Sequence, residues 1–353
     1  MDGLYAVVLA GGRGSRFWPL SRRSRPKQCV SIGGRDAALT QTVERLLGML
    51  PIDRILVATG RDMVDAVRAL LPALPAENLL VEPWGRNTAP CIGLAAVEIG
   101  KRCTGAVMAV FPSDHRVGDP EALNRAILAG AEAAKATNAF VTLGVKPTRP
   151  ETGFGYLEVG PEVGTWRDEP VMRVERFTEK PGPEAAEAFL SGGRHLWNAG
   201  MFVFTVEGLR DAFRAFLPRT SEALERVAQN PQALEKEWGN MDATSIDYGV
   251  MERSRHILVV PCDPDWSDLG SWAAAGDEMP KVPGGRGNAV RVIAKDSSGC
   301  IVHAPTKTVV LLGLENTVVV DTEDAILVMK SDRSAQVGTV VRELEAADLD
   351  ELT

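Results

Sequence analysis

Through its first 145 residues the chain alternates short, unbroken apolar runs with segments of helical period, and this alternation narrows the fold more than any other feature. YAVVLA (5–10), RILVAT (54–59), NLLVE (78–82), GAVMAVF (105–111) and AFVTLGV (139–145) are too short for helices and lack alternating polar positions. They read as strands covered on both faces. Between them, 40–50, 62–71, 88–102 and 121–136 repeat apolar residues every three or four positions, as one face of a helix does. Strands and helices in alternation predict an α/β fold, a mixed and mostly parallel sheet with helices on both faces. Ligands of such sheets collect at the carboxyl ends of the strands.

Beyond residue 150 the pattern loosens. Strands are expected at 154–159, 171–177, 200–206 and 256–261, with helical stretches near 184–191, 207–216, 221–228, 232–238 and 270–279. The composition then shifts at PKVPGGRGN (280–288), which reads as a linker. The remainder is rich in Val and Ile, with turns every 8 to 10 residues. The expectation is a Rossmann-like domain over 1–280 and a small all-β, β-helix-like domain over 288–353. A chain of 353 residues, 45% apolar, can bury a core for both.

The net charge of −8 gives no general attraction for nucleic acid or anionic membrane. No run approaches the roughly 18 apolar residues of a membrane span. The run at 5–10 is too short for a signal-peptide core and has no basic leader. Five scattered cysteines without a CxxC pair point away from a zinc site and a disulfide framework, and fit a reduced, cytoplasmic setting.

In this acidic chain AGGRGSRFWPLSRRSRPKQ (10–28) is anomalous. Seven cations (Arg13, Arg16, Arg22, Arg23, Arg25, Lys27 and Arg35) lie between Asp2 and Asp36 with no acid among them. The stretch opens Ala10, Gly11, Gly12, Arg13, Gly14, Ser15 directly after a strand. Glycines there allow positive φ and close approach, so that successive N–H groups cradle phosphate oxygens. The Walker loop is excluded because no GK[ST] follows, and the dinucleotide fingerprint because Phe17 holds the third glycine position. A polyphosphate is the simplest common cause; a solvated basic loop beside a tight turn is the alternative.

The same residues, LAGGRGSRFWPLSRRSRPKQ, resemble the signature of nucleotidyltransferases that make sugar nucleotides. VEPWGRNTAP (81–90), FPSDH (111–115), ETGFGYLEVG (151–160), VERFTEKP (174–181), WNAGMFVF (197–204), SIDYGVME (245–252) and WSDLGSW (266–272) continue the resemblance in family order over residues 4–275. The version with FWPLS and RPKQ is similar to the mannose-1-phosphate guanylyltransferases, or GDP-mannose pyrophosphorylases, in their short monofunctional form. The resemblance implies that GTP and mannose 1-phosphate give GDP-mannose and pyrophosphate by in-line attack of the sugar phosphate on the α-phosphorus. It implies Mg²⁺ on Asp114 and Asp268, which local sequence alone leaves equally readable as turn or cap residues.

Further roles follow from the same resemblance. Arg16 and Lys27 face the GTP phosphates, and Lys180 holds the phosphate of mannose 1-phosphate. Gly155, Glu179, Asn198 and Asp247 receive the sugar. Glu82, Arg86, Asn87, Thr88, Pro112 and Ser113 join Ala10–Ser15 at the nucleotide, although Asn87 and Thr88 can equally cap a helix. His115 is read as a support behind the metal ligands or as structural, because Mg²⁺ disfavours imidazole. The Trp residues at 18, 84, 197, 266 and 272 are read as walls and packing for the motif loops. A homodimer is implied. Two alternatives stay open: a transferase for another base or hexose 1-phosphate, and a regulatory subunit that binds a sugar nucleotide without turnover.

Overall fold

The computed structural model describes the whole chain except Met1, Arg13, Ser24 and residues 33–35. Its strands are β1 (Leu4–Leu9), β2 (Ile55–Gly60), β3 (Leu79–Glu82), β4 (Val107–Pro112), β5 (Arg116–Val117), β6 (Phe140–Val145), β7 (Tyr156–Trp166), β8 (Glu169–Thr178), β9 (His195–Thr205), β10 (Ile257–Pro261), β11 (Trp266–Ser267), β12 (Lys281–Val282), β13 (Gly285–Lys295), β14 (Cys300–Leu312), β15 (Thr317–Asp321) and β16 (Ile326–Lys330). The helices are α1 (Ala38–Leu47), α2 (Val64–Leu70), α3 (Thr88–Arg102), α4 (Pro120–Thr137), α5 (Pro183–Gly192), α6 (Val206–Phe216), α7 (Pro218–Gln229), α8 (Leu234–Trp238), α9 (Ile246–Gly249), α10 (Trp272–Asp277) and α11 (Val337–Ala346).

Among the described residues nine strands form one mixed sheet, ordered β3-β2-β1-β4-β9-β6-β10-β8-β7. The β3-β2-β1-β4 block and the β6–β10 pair are parallel, and β9 runs antiparallel between them. Alternate residues of β1 serve opposite faces: Ala6 and Val8 pack with α1, α2 and α4, while Val7 packs with α3, α6 and α7. This two-sided burial explains why β1 reads as an unbroken apolar run. Helix ends follow local chemistry. Asp119 caps α4 by accepting from the Ala122 N–H at 2.9 Å, Pro120 sits at its start, and Asn138 ends it in a left-handed turn.

Two short strands matter more than their length suggests. β5 and β11 pair antiparallel, joining Arg116 to Ser267 and Val117 to Trp266. Arg116 fixes the pair by donating to both carboxylate oxygens of Asp265 and by contacting Glu278 at 2.8 Å. This ribbon draws the end of β4 and the segment after β10 to one point.

In the C-terminal unit β13, β14 and β15 stack in parallel, so that 285–289, 300–304 and 317–321 lie over one another as successive coils. The stretch expected as a linker, 280–288, is itself folded: Lys281 and Val282 pair antiparallel with Arg286 and Gly285. The expected strand pattern stops at Lys330, and the following residues form the 3₁₀ turn Ser331–Gln336 and α11. No described helix is long and apolar enough to cross a membrane.

Candidate active site

A cleft of about 1000 Å³ opens at the carboxyl ends of β1, β3 and β4. Gly11 and Gly12 form part of its wall. Gly12 has φ +94° and Gly14 φ +62°, and a Cβ on Gly14 would collide with Lys27, so glycine is required there. The loop is held by Gln28, which is buried and donates from Nε2 to the carbonyls of Ala10 at 3.1 Å and Gly12 at 3.3 Å. Sequence reasoning gave Gln28 no role; its signal was the fixed place of a polar residue at the end of RPKQ.

The charged centre lies at the floor of the cleft, with Lys27 set behind the lining residues. Lys27 is buried, and its ammonium donates to Asp114 Oδ2 at 2.8 Å and to the Asp268 carbonyl at 3.1 Å. Its Nζ also lies 5.0 Å from the Phe17 ring centroid. Asp114 and Asp268 both line the cleft, brought together by the β5–β11 ribbon. Asp268 is not the cap of α10: Ser271 caps that helix, and Asp268 Oδ1 accepts from the Gly270 N–H at 3.1 Å. The two acids titrate in opposite directions. Burial alone would raise Asp114, but the Lys27 ammonium, helped by His115, outweighs it and holds the carboxyl below its usual range. Asp268 is raised by burial and by the charges of Asp114 and Glu151, against relief from Gly270 and Lys27.

His115 borders the same floor, and its Nδ1 accepts from Trp266 Nε1–H at 3.1 Å. Burial lowers its pKa to about 4. The neutral ring therefore carries its proton on Nε2. Trp266 packs in turn against Phe154 and Trp197, so these aromatic rings form one wall.

A polar group lines the cleft beside that wall. Asn198 is buried: Oδ1 accepts from Thr142 at 2.8 Å and from the Gly200 N–H at 3.2 Å, and Nδ2 donates to Asp247 at 3.2 Å. Asp247 is pushed up to about 6 by burial and by Glu179. A Cβ on Gly155 would lie 2.6 Å from Glu179 Oε2 and 3.3 Å from Asn198 Cβ, so a side chain there would fill the space between these groups. Lys180 is not on the cleft wall. It lies at the exposed margin and donates to Glu179 at 2.9 Å; burial works to lower its pKa, but that bond together with the charges of Glu179, Tyr248 and Asp247 carries it upward.

Glu82 ends β3 inside the cleft, raised by burial and partly relieved by a hydrogen bond from Cys91. Asn87, Thr88 and Pro112 also line it. Asn87 accepts from the Thr88 N–H and begins α3, and Thr88 Oγ1 accepts from the Ile246 N–H at 2.9 Å. The structure does not bring every expected residue to the wall. Arg13 lies outside the described residues. The Ala10 N–H donates to the Ala58 carbonyl at 2.8 Å, within the sheet. Ser113 is buried behind the wall, its carbonyl accepting from Thr42. Arg86 donates to the Met241 carbonyl. The 3₁₀ turn Ser15–Phe17 buries Phe17 against Trp272 and leaves Arg16 exposed off the wall and Ser15 on the loop's other side. Of the Trp residues, 84 and 266 line the cleft, whereas 18 and 272 pack behind the loop.

Residues 5–283, nearly the whole α/β unit, match the family profile described as nucleotidyl transferase. The chain belongs to the nucleotidyl transferase family. Residues 290–344 match a second profile, the MannoseP isomerase/GMP-like beta-helix domain. A mannose-1-phosphate guanylyltransferase of Escherichia coli is 36% identical over 97% of this chain and 74% of its own length. The alginate biosynthesis protein AlgA of Pseudomonas putida is 37% identical over 96% of this chain and 71% of its own. A Thermus thermophilus crystal structure described as mannose-1-phosphate geranyltransferase is 37% identical and superposes with a TM-score of 0.89, covering 97% of this chain and 99% of that one. As a nucleotidyl transferase the chain is an enzyme, and the cleft lined by Gly11, Gly12, Asp114 and Asp268, with Lys27 buried against Asp114 behind the wall, is the candidate active site.

Proposed function

We propose that this nucleotidyltransferase moves GMP from GTP to mannose 1-phosphate, giving GDP-mannose and pyrophosphate. The observation that carries the reading is the meeting of Lys27, Asp114 and Asp268 beneath the glycine loop, in a cleft that Glu179, Asn198 and Asp247 also line. The relatives named mannose-1-phosphate guanylyltransferase support the choice of base and sugar.

A phosphate oxygen of the sugar phosphate forms a bond to the α-phosphorus of GTP. The bond from that phosphorus to the bridging oxygen breaks, and pyrophosphate leaves with the electron pair. The nucleophile is already an anion, so the protein need supply no base and no covalent intermediate. Its task is to hold two anions in line. Lys27 neutralises the transferred phosphoryl group from below. The backbone of Gly11 and Gly12 receives the triphosphate. Glu82 accepts from the donor edge of guanine. Glu179 and Asp247 accept from sugar hydroxyls, and Lys180 meets the sugar phosphate from the margin.

Asp114 and Asp268 suit a hard divalent cation: two carboxylates, beside a neutral imidazole whose Nδ1 is already engaged. They would hold Mg²⁺, which when bound offsets charge on the phosphates. Residues 1–280 form the catalytic unit in this reading and 288–353 the β unit. A homodimer in the cytoplasm belongs to the same reading, and the exposed Ile293, Val310 and Leu312 of the β unit offer an apolar face for self-association.

The test is pyrophosphate release with Mg²⁺, each nucleoside triphosphate and a panel of hexose 1-phosphates. GTP with mannose 1-phosphate should dominate. A faster pair would replace the assigned base or sugar, and no release from any pair would favour a regulatory subunit.

A further inference from the structure

The cation-rich loop meets the cleft through Gly11 and Gly12 and packs against the C-terminal residues through Phe17, Trp18 and Arg22. Phe17 and Trp272 are fully buried with ring centroids 5.2 Å apart, and Trp272 Nε1 donates to the Trp18 carbonyl at 3.1 Å. The Trp18 ring is buried with Val337 and Val341 of α11, and its Nε1 donates to the Leu352 carbonyl at 2.7 Å. Arg22 reaches Asp324, in the turn between β15 and β16, at 2.8 Å. Arg23 reaches Glu345 of α11 at 2.8 Å, and its N–H donates to the Thr353 carbonyl at 2.8 Å. A Cβ on Gly338 would come within 3.2 Å of Ser15 Oγ, so α11 lies almost against the loop. Arg23 also lines the cleft, and thereby links α11 to the site.

We propose that α11 and the β15–β16 turn clamp the nucleotide loop, and that Trp18, Arg22 and Arg23 are positioning residues that hold Gly11, Gly12 and Gly14 ready for a triphosphate. The physical need is plain. A segment rich in glycine loses much backbone entropy when ordered, and neighbouring cations repel one another. Each exposed ion pair contributes little alone. Two such pairs, a buried indole and its hydrogen bond act together on one short stretch, ordering it before the ligand arrives. The clamp rests on the guanylyltransferase reading only for the identity of the ligand.

The experiment compares the full-length protein with a Trp18→Phe/Glu345→Gln double variant and with Asp324→Asn. Trp18→Phe keeps an aromatic ring and loses the indole donor; Glu345 and Asp324 lie off the cleft wall. Two readouts are taken: KM for GTP and for mannose 1-phosphate, and hydrogen exchange at the Phe17, Trp18, Leu20 and Ser21 amides, which are hydrogen-bonded within the loop. The double variant should raise KM for GTP about tenfold, leave KM for mannose 1-phosphate within about twofold, and speed exchange in the loop but not in β1. Asp324→Asn should shift both readouts the same way, less far. Unchanged loop exchange, or equal rises in both KM values with a general loss of stability, would overturn the clamp. Absence of GTP turnover in the unaltered protein would overturn the guanylyltransferase reading alone, because the exchange measurement still decides the clamp.

Discussion

Asp247 carries a cost that the proposed function would turn to use. Burial first, and then the Glu179 charge, lift its pKa to about 6, against partial relief from Lys180 and Asn198. A raised carboxyl favours the protonated form in the folded state. Its share of stability is therefore full below the usual carboxylate pKa of about 3.9 and is lost as pH rises through about 6. The carboxylate formed above that pH is a better acceptor for sugar hydroxyls. We expect kcat/KM for mannose 1-phosphate to climb between pH 5 and 7. The substrate's own phosphate also titrates at about 6, so Asp247→Asn should remove the protein's part of the climb and leave the substrate's. Superimposable profiles for the two proteins would sink this role.

At the scale of elements, the β5–β11 ribbon sets the spacing of Asp114 and Asp268. Asp265→Ala would free one side of Arg116. We expect turnover to fall about tenfold while stability changes by no more than about 1 kcal/mol, the usual range for an exposed ion pair, as steady-state kinetics and thermal melts would show. This ribbon was not legible in the sequence, because two residues carry no period and their pairing is decided by distant contacts. β1, β2, β4 and β6 were legible because both their faces are buried. α11 was missed: its Val337, Val340 and Val341 are β-branched residues that locally favour strands. The site divides in the same way. Asp114, Asp268, Glu179 and Asn198 stand in recognisable motifs and meet at the cleft. Arg22 and Arg23 stand in the same loop as Lys27, yet charge alone does not name a partner, and theirs are C-terminal acids. Asp268 had a plausible bland role as a cap until Ser271 was seen in that place.

At the scale of the whole molecule, Trp272 joins the α/β unit to the β unit. It lies fully buried in a cluster with Phe17 from the loop and with Ile301, Val318 and Val320 from the coils. Trp272→Ala would remove about 3–5 kcal/mol from that junction. Scanning calorimetry should then resolve a separate, earlier transition for the β unit, whereas the unaltered protein should show a single transition.

The two-residue ribbon also bears on how the molecule is made. Its Arg116–Asp265 contact spans 149 positions, so β1 to β4 and the glycine loop leave the ribosome long before their second acid. Contacts so far apart in sequence form late. A growing chain can thus own a nucleotide loop and part of a sheet without owning a complete carboxylate pair, so the pair is completed only after the segment beyond β10 has been made.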